Sequence, residues 1–180
     1  MSAVNASFAK LLEYEQRAVG DAESPPEPAG AKGDWAGLAF RVGELRLVCG
    51  VDQVAESLPL PPVTRVPGTK PFILGLANVR GDLVTVVDLG CFLTGQRSHH
   101  SIRSRLLAAT LRGRPVGLLV DEVFGQRNFV TDDAVGAELA ADSALAAYVR
   151  RQHRSGSEDW QELDLDILFN THEFLDGAAA

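Results

Sequence analysis

Apolar and polar residues alternate along the chain from Trp35 onward, and a period of two predicts β-strands. Apolar residues occupy every second position on both sides of the pair Gly43-Glu44: Leu38, Phe40 and Val42 before it, and Leu45, Leu47 and Cys49 after it. A glycine beside a polar residue is typical of a tight turn. We therefore predict an antiparallel hairpin over Trp35–Leu47 whose strands are half-buried.

Further strand-like runs recur at intervals of about 8 to 12 residues. They are Phe72–Leu76, Leu83–Val87, Arg105–Leu111 and Val116–Val120. Turn residues at Arg80–Asp82 and at Arg112–Pro115 separate them. Many short strands with few long helical patterns between them favour small β-barrels or a sandwich over a parallel sheet with crossover helices.

The two ends of the chain are less regular. Residues 1–33 predict a short helix followed by a proline- and glycine-rich linker, and this helix either folds back onto the body or docks on a partner. Asp133–Val149 is rich in alanine and predicts one or two helical turns. Arg150–Asp159 predicts a polar loop, after which alternation resumes over Trp160–Phe169.

Composition narrows the function classes. The 17 Lys and Arg against 24 Asp and Glu give a net charge of −7, which disfavours nucleic acid as a ligand. No apolar run is long enough for a spanning helix, so we expect a cytoplasmic protein with no direct membrane insertion. Cys49 and Cys91 lie in apolar runs and are expected to be reduced core residues. The four histidines lack the spacing of metal ligands, so no metal or other cofactor is predicted.

Motifs for catalysis are missing. The sequence contains no phosphate-binding glycine loop, nucleophile elbow, zinc-protease helix or paired-cysteine motif. The acids at strand ends, Asp88, Asp121 and Asp164, are either turn-capping residues or candidates for acid–base chemistry, and capping is the commoner use. The sequences Val86–Leu89 and Leu163–Ile167 resemble each other, as a strand that ends in Asp and continues into an apolar turn.

Two basic segments, Arg97–Arg105 and Arg150–Arg154, are predicted to be solvated loops or contacts for an acidic partner surface. Between strands, Asn78, Arg80 and Gly81 place an amide and a guanidinium beside a glycine that can adopt a positive φ. An arginine on such a rigid turn suits recognition of a carboxylate or of backbone carbonyls. The alternative is a structural arginine that ties the turn to a strand-end acid such as Asp88.

The stretch Gly75–Leu89 resembles the central motif of the CheW-like domain family, the adaptors of bacterial chemosensory arrays. Gly75, Asn78, Arg80, Gly81, Asp88 and Leu89 match that motif. Two further blocks agree in order and spacing, namely Phe40–Gly43 leading to Val51–Glu56, and Val116–Val123. The resemblance covers about Trp35–Phe169, and within the family it is greatest to the PilI subfamily, which serves type IV pili and twitching motility.

The resemblance implies a mainly β fold of two SH3-like five-stranded barrels packed together, with a short N-terminal helix and short connecting helices. The domain is expected over residues 34–180, with one subdomain over about 34–96, a second over about 102–165, and a C-terminal segment that packs back. Two departures are Thr85, where the family usually has proline, and the polar residues Arg150–Asp159. The second departure leaves the edges of the second subdomain undefined.

The resemblance also implies a function. Such adaptors have no catalytic activity, and they couple the cytoplasmic tip of a chemoreceptor to the regulatory domain of a CheA-like histidine kinase. The contact residues expected here are Val54, Glu56, Gly75, Asn78, Arg80 and Gly81, with Gly75 and Arg80 near a receptor groove. A flagellar chemotaxis adaptor is the nearest alternative. A carboxylate-based enzyme or phosphoacceptor that uses Asp88 or Asp121 is a more distant one.

Overall fold

A computed structural model describes residues 35–129, 134–135, 144–155 and 158–178, so the predicted N-terminal helix and linker lie outside the described residues. The described strands are β1 Trp35–Val42, β2 Leu45–Gly50, β3 Glu56–Pro59, β4 Ile73–Val79, β5 Asp82–Asp88, β6 Arg105–Leu111, β7 Arg114–Val120, β8 Glu122–Phe129, β9 Ala134–Val135, β10 Val149–Ser155 and β11 Glu158–Leu163. The helices are α1 Leu89–Thr94, α2 Leu165–Asn170 and α3 His172–Ala178, with 3-10 turns at Val51–Gln53 and Ala144–Tyr148.

These strands form two sheets. The first has the order β8-β1-β2-β11-β10-β9, and the second has the order β3-β6-β7-β5-β4. The β2–β11 and β5–β7 pairs are parallel, and the other described pairs are antiparallel. The prediction of a mainly β fold is confirmed.

The predicted division into consecutive subdomains, about 34–96 and about 102–165, does not correspond to these sheets. The first sheet combines β1 and β2 with β8–β11 from the other end of the chain, and the second consists of β3–β7. Strands β6 and β7 pair with β3 and β5, so the second predicted subdomain is split between the sheets. The predicted subdomains were consecutive stretches of the chain. Strands pair with the partners that tertiary contacts bring near them, and these need not be neighbours in sequence.

The predicted β1–β2 hairpin is confirmed, with Val42 paired to Leu45 around Gly43, whose φ is 57°. Both of its faces are buried, although alternation predicted one. Phe40 and Leu47 belong to the large apolar cluster, while Ala39 and Val48 pack with two aromatic residues of β8 and β11, Phe129 and Trp160. The first sheet therefore encloses a small core of its own in addition to the surface that it gives to the large cluster.

The second sheet also encloses its own core. Ala77, Val84 and Leu119 are members of a separate apolar cluster supplied by β4, β5, β6 and β7. The chain after β3 returns to the far edge of this sheet, where Thr64 and Leu76 exchange two backbone hydrogen bonds of 2.8 Å. This exchange joins the β3 side of the sheet to the β4 edge, in the manner of a barrel.

The large cluster contains residues of both sheets and all three helices. Leu47 of the first sheet and Leu118 of the second are both fully buried in it. The helix α3 contributes Phe174, which is also fully buried and whose ring centroid lies 5.3 Å from that of Phe92. The C-terminal helices therefore cover this cluster rather than extend away from it.

Three local predictions in the last third were wrong or incomplete. Arg150–Asp159 was predicted to be a loop, yet it provides most of the β10–β11 hairpin, in which Gln152 pairs with Gln161. Alternation from Trp160 ends at Leu163, because Asp164 begins α2. Strand β8 was not predicted, because Glu122–Phe129 contains few apolar residues. Within the described ranges, no helix has both the length and the apolar character needed to cross a membrane.

Candidate functional site

The tip of the β4–β5 hairpin is a two-residue turn. Val79 pairs with Asp82, and between them Arg80 has a φ of 54° and Gly81 a φ of 100°. Positive φ at both central residues is the geometry of a type I′ turn, whose twist matches that of the flanking strands. The Asn78 Oδ1 accepts a hydrogen bond of 3.0 Å from the Gly81 N–H. The predicted positive φ at Gly81 is therefore confirmed, and Asn78 holds the turn.

Arg80 projects from this turn into solvent and pairs with Glu56. Its Nη2 lies 2.6 Å from the Glu56 Oε2, while 79% of the arginine side chain and 26% of the glutamate side chain remain exposed. The predicted alternative partner, Asp88, is wrong, since that carboxylate is buried and binds Cys91 and Ser98. The structure thus brings two predicted contact residues from separate strands into one ion pair.

An exposed leucine, which the sequence analysis did not select, lies on the same hairpin as Arg80. Leu83 is 64% exposed and stands opposite Asn78 in the β4–β5 register. Its neighbours Val84 and Val86 point into the core of the second sheet, which leaves Leu83 on the outer face. Alternation within β5 places Leu83 and Val84 on opposite faces, but which face is buried depends on how the strands pack. We call Glu56, Asn78, Arg80, Gly81 and Leu83 the hairpin-tip surface.

Val54, the other predicted contact residue near Glu56, is half-buried. It packs against the large apolar cluster, so only part of its side chain faces solvent. The neighbouring Val51 is 40% exposed. A partner contact through Val54 stays a prediction, and the geometry gives this residue a packing role as well.

Gly75 has a structural role that the sequence analysis did not foresee. It is buried, its φ is 141°, and a Cβ at this position would lie 2.1 Å from the carbonyl oxygen of Thr64. Only a residue without a side chain permits this close approach of the chain to β4. Its proposed contribution to a binding groove stays a prediction, and a buried glycine offers no side chain to a partner.

The strand-end acids are committed to hydrogen bonds. Asp88 accepts from the Cys91 N–H at 3.0 Å and begins α1, and Asp164 accepts from the Asp166 and Ile167 N–H groups and begins α2. The two similar sequences noted above are therefore two strand–cap–helix junctions. Asp121 instead accepts from the Gly43 N–H at 2.6 Å, which joins the first residue after β7 to the β1–β2 turn.

Other candidate chemistry is also accounted for. Arg150 pairs with the buried Asp164, so this part of the second basic segment is structural. Both cysteines are free and buried, and burial raises the pKa of the Cys49 thiol to about 12, with Asp52 adding to the effect. Burial and then Asp88 raise the pKa of Cys91, which Arg97 partly opposes. The described residues contain no group of three or more His, Cys, Asp or Glu that could hold a metal ion.

Comparison with known proteins identifies the family. The model of the CheW-like domain matches residues 36–173. Protein PilI of Pseudomonas aeruginosa is 32% identical over 179 residues, which is 99% of each chain, and Protein FrzA of Myxococcus xanthus is 30% identical over 68% of this chain and 76% of its own.

A solved structure shows the same fold. The scaffolding protein TtCheW from Thermoanaerobacter tengcongensis is 22% identical and aligns with a TM-score of 0.68 over 77% of this chain and 94% of its own. The family match, the two relatives and the strand arrangement agree with one another. The chain therefore belongs to the CheW-like domain family.

Proposed function

We propose that this protein is a non-enzymatic signalling adaptor that couples a methyl-accepting chemoreceptor to a histidine kinase in the chemosensory system controlling type IV pili and twitching motility. Its place is cytoplasmic, where it is recruited to membrane-associated receptor arrays. The similarity to Protein PilI over 99% of both chains supports the pilus-type assignment. Shorter matches to chemotaxis proteins named CheW leave a flagellar array as the second candidate.

The observation that carries this proposal is the exposed Arg80, held on a type I′ turn by its pair with Glu56. A guanidinium whose position is already fixed loses less entropy on binding than one on a mobile loop. Leu83 adds an exposed apolar side chain on the same hairpin. Protein-binding surfaces commonly combine an apolar side chain with an arginine in this way. We assign the hairpin-tip surface to the receptor.

The geometry offers little support for the enzyme and phosphoacceptor alternatives. Asp88 is fully buried and its two oxygens accept hydrogen bonds from Cys91 and Ser98. Asp121 is also buried, and it accepts the Gly43 N–H. A carboxylate used as a cap or a tie is poorly placed to receive a phosphoryl group, because the transfer would break the hydrogen bonds that hold the fold.

The experiment compares two arginines in matched turns. Arg112 is also exposed, has a φ of 48° and precedes a glycine of positive φ in the β6–β7 hairpin. We expect Arg80→Glu to weaken binding of a purified receptor fragment at least tenfold, or about 1.4 kcal/mol, and Arg112→Glu to leave it within about twofold. Both variants should retain the circular dichroism of the unsubstituted protein. Equal binding by both variants would remove Arg80 from the receptor surface.

The pathway assignment is tested separately. Deletion of the gene should abolish twitching motility and leave flagellar swimming intact. Loss of swimming with normal twitching would favour the flagellar candidate. Incubation of the purified protein with a phosphorylated histidine kinase should leave no label on any aspartate.

A further inference from the structure

Arg80 holds a backbone conformation that arginine rarely adopts. Its φ of 54° lies in the left-handed region, where the Cβ of any residue other than glycine is crowded by the backbone. Asparagine, aspartate and glycine are the preferred residues at this position of a type I′ turn. The direction of the guanidinium depends on the turn, because a change of φ at Arg80 would swing its Cα–Cβ bond away. A contact that favours this turn over other turns therefore also fixes the guanidinium.

The side chain of Asn78 supplies such a contact. The strand ladder of the hairpin closes at Val79 and Asp82, and a type I′ turn gives the Gly81 N–H no partner in that ladder. The Asn78 Oδ1 accepts a hydrogen bond of 3.0 Å from this N–H, and so satisfies it. The asparagine is exposed and belongs to none of the apolar clusters. It therefore contributes to the turn rather than to the packing of the core.

The β6–β7 hairpin allows a direct comparison. Its turn has the same Arg–Gly pair, with a φ of 48° at Arg112 and of 80° at Gly113. The residue in the place of Asn78 is Thr110, and among the described residues no hydrogen bond joins its hydroxyl to the Gly113 N–H. Two turns of the same kind thus differ in this one contact. The asparagine is not required to form such a hairpin, which separates its role from folding.

We propose that Asn78 is a positioning residue of the hairpin-tip surface, which affects receptor binding by holding the Arg80–Gly81 turn and not by contact with the receptor. This inference rests on the proposed function, in which Arg80 meets the receptor. It replaces the partner contact that the family resemblance implied for Asn78. Two constraints then act on one arginine, because Asn78 holds its backbone and Glu56 holds its guanidinium.

Two substitutions in the full-length chain distinguish positioning from contact. Asn78→Thr copies the β6–β7 turn and removes the acceptor for the Gly81 N–H, whereas the conservative variant Asn78→Asp keeps an acceptor oxygen and loses only the amide donor. We expect Asn78→Thr to weaken binding of a purified receptor fragment about fivefold in isothermal titration calorimetry, and Asn78→Asp to retain it within about twofold. Thr110→Ala, at the equivalent position of the other hairpin, is the matched control and should also stay within about twofold.

Two further measurements separate positioning from a general loss of stability. Solvent exchange of the Gly81 amide, followed by NMR, should be at least about tenfold faster in Asn78→Thr, while the urea midpoint of unfolding should not move. The second measurement repeats the substitution in an Arg80→Ala background. There Asn78→Thr should weaken receptor binding by less than about twofold, because no guanidinium remains to be positioned.

The other outcomes are as informative. Equal losses of binding for Asn78→Asp and Asn78→Thr would overturn the inference, because the amide donor would then contact the receptor. A full fivefold loss in the Arg80→Ala background would overturn it for the same reason. If Asn78→Thr bound the receptor fragment normally while Arg80→Glu did not, the inference would fail and the proposed function would stand. Failure of the unsubstituted protein to bind the fragment would instead contradict the proposed function, and the inference with it.

Discussion

The guanidinium of Arg80 lies 2.6 Å from the carboxylate of Glu56, and this pair joins the tip of the β4–β5 hairpin to the first residue of β3. The arginine is mostly exposed, so water screens the pair and it adds about 0 to 1 kcal/mol to stability. The main effect of the ion pair is on orientation, because the glutamate restricts the directions in which the Arg80 guanidinium can point.

Glu56→Gln tests this positional role. We expect receptor binding to weaken by about threefold, less than for Arg80→Glu, because the arginine remains but loses its ionic partner. The free energy of unfolding, measured in urea, should stay within about 0.5 kcal/mol of that of the unsubstituted protein. The double variant with Glu56→Arg and Arg80→Glu restores an ion pair of reversed polarity. If it also restored receptor binding, the pair itself rather than the Arg80 guanidinium would be the requirement.

Gly75→Ala is expected to be strongly destabilising. The new Cβ would meet the Thr64 carbonyl oxygen at 2.1 Å, at a backbone φ of 141° that alanine rarely adopts. We expect a loss of at least about 3 kcal/mol in the free energy of unfolding, measured in urea. Gly43→Ala is the control, since Gly43 has a φ of 57° but no atom within 4 Å of the added Cβ, and it should cost about 1 kcal/mol. Similar losses for both would show that backbone conformation rather than the close approach dominates.

The two strand–cap–helix junctions should differ in their sensitivity to alanine. Asp88→Ala removes the α1 cap and both hydrogen bonds to Ser98, so we expect a cost of about 2 to 4 kcal/mol. Asp164→Ala removes the α2 cap, but its partner Arg150 is 55% exposed and can return to water, so about 1 to 2 kcal/mol is expected. The exposed Asp52 is the control, and its alanine variant should change stability by less than about 0.5 kcal/mol. The reverse order of the two costs would contradict this account of the Ser98 anchor.

The raised pKa of Cys49 predicts a pH dependence of stability. Burial, with a smaller effect of Asp52, moves this pKa from 9.0 to about 12, so the folded protein keeps a proton that the unfolded chain releases between these values. The free energy of unfolding should therefore fall as pH rises through this window, by up to about 1.4 kcal/mol per pH unit from this thiol. Urea unfolding from pH 8 to pH 11 measures the slope, and Cys49→Ala should reduce it. An unchanged slope in that variant would assign the dependence to other groups.

Local features of the fold were predictable because they depend on neighbouring residues. Alternation marked the β1–β2 hairpin, and the glycines at 43 and 81 marked two turns; the positive φ predicted for Gly81 is confirmed, and Gly43 has one as well. Asp88 and Asp164 were predicted as caps because a short acid after a strand can accept nearby backbone N–H groups. The strands β8 and β10 could not be predicted from alternation, because they contain too few apolar residues for a period of two to be visible.

The candidate site was predictable only in part. Asn78, Arg80 and Gly81 were selected from one short motif, and they do form one turn. Leu83 was overlooked because its exposure depends on which face of β5 packs against the second sheet. The pairing of Arg80 with Glu56 could not be chosen over Asp88, because a guanidinium on a turn reaches whichever acid the fold brings near it.

The sequence by itself determined the mainly β class, the positions of several turns and caps, and four of the five residues of the hairpin-tip surface, all but Leu83. Tertiary structure alone decided that β1 and β2 share a sheet with β11 and that Glu56 reaches Arg80. The physical reason is range. Alternation, turn conformation and capping arise from contacts within a few residues, whereas strand partners and ion pairs arise when burial of apolar surface closes long stretches of chain.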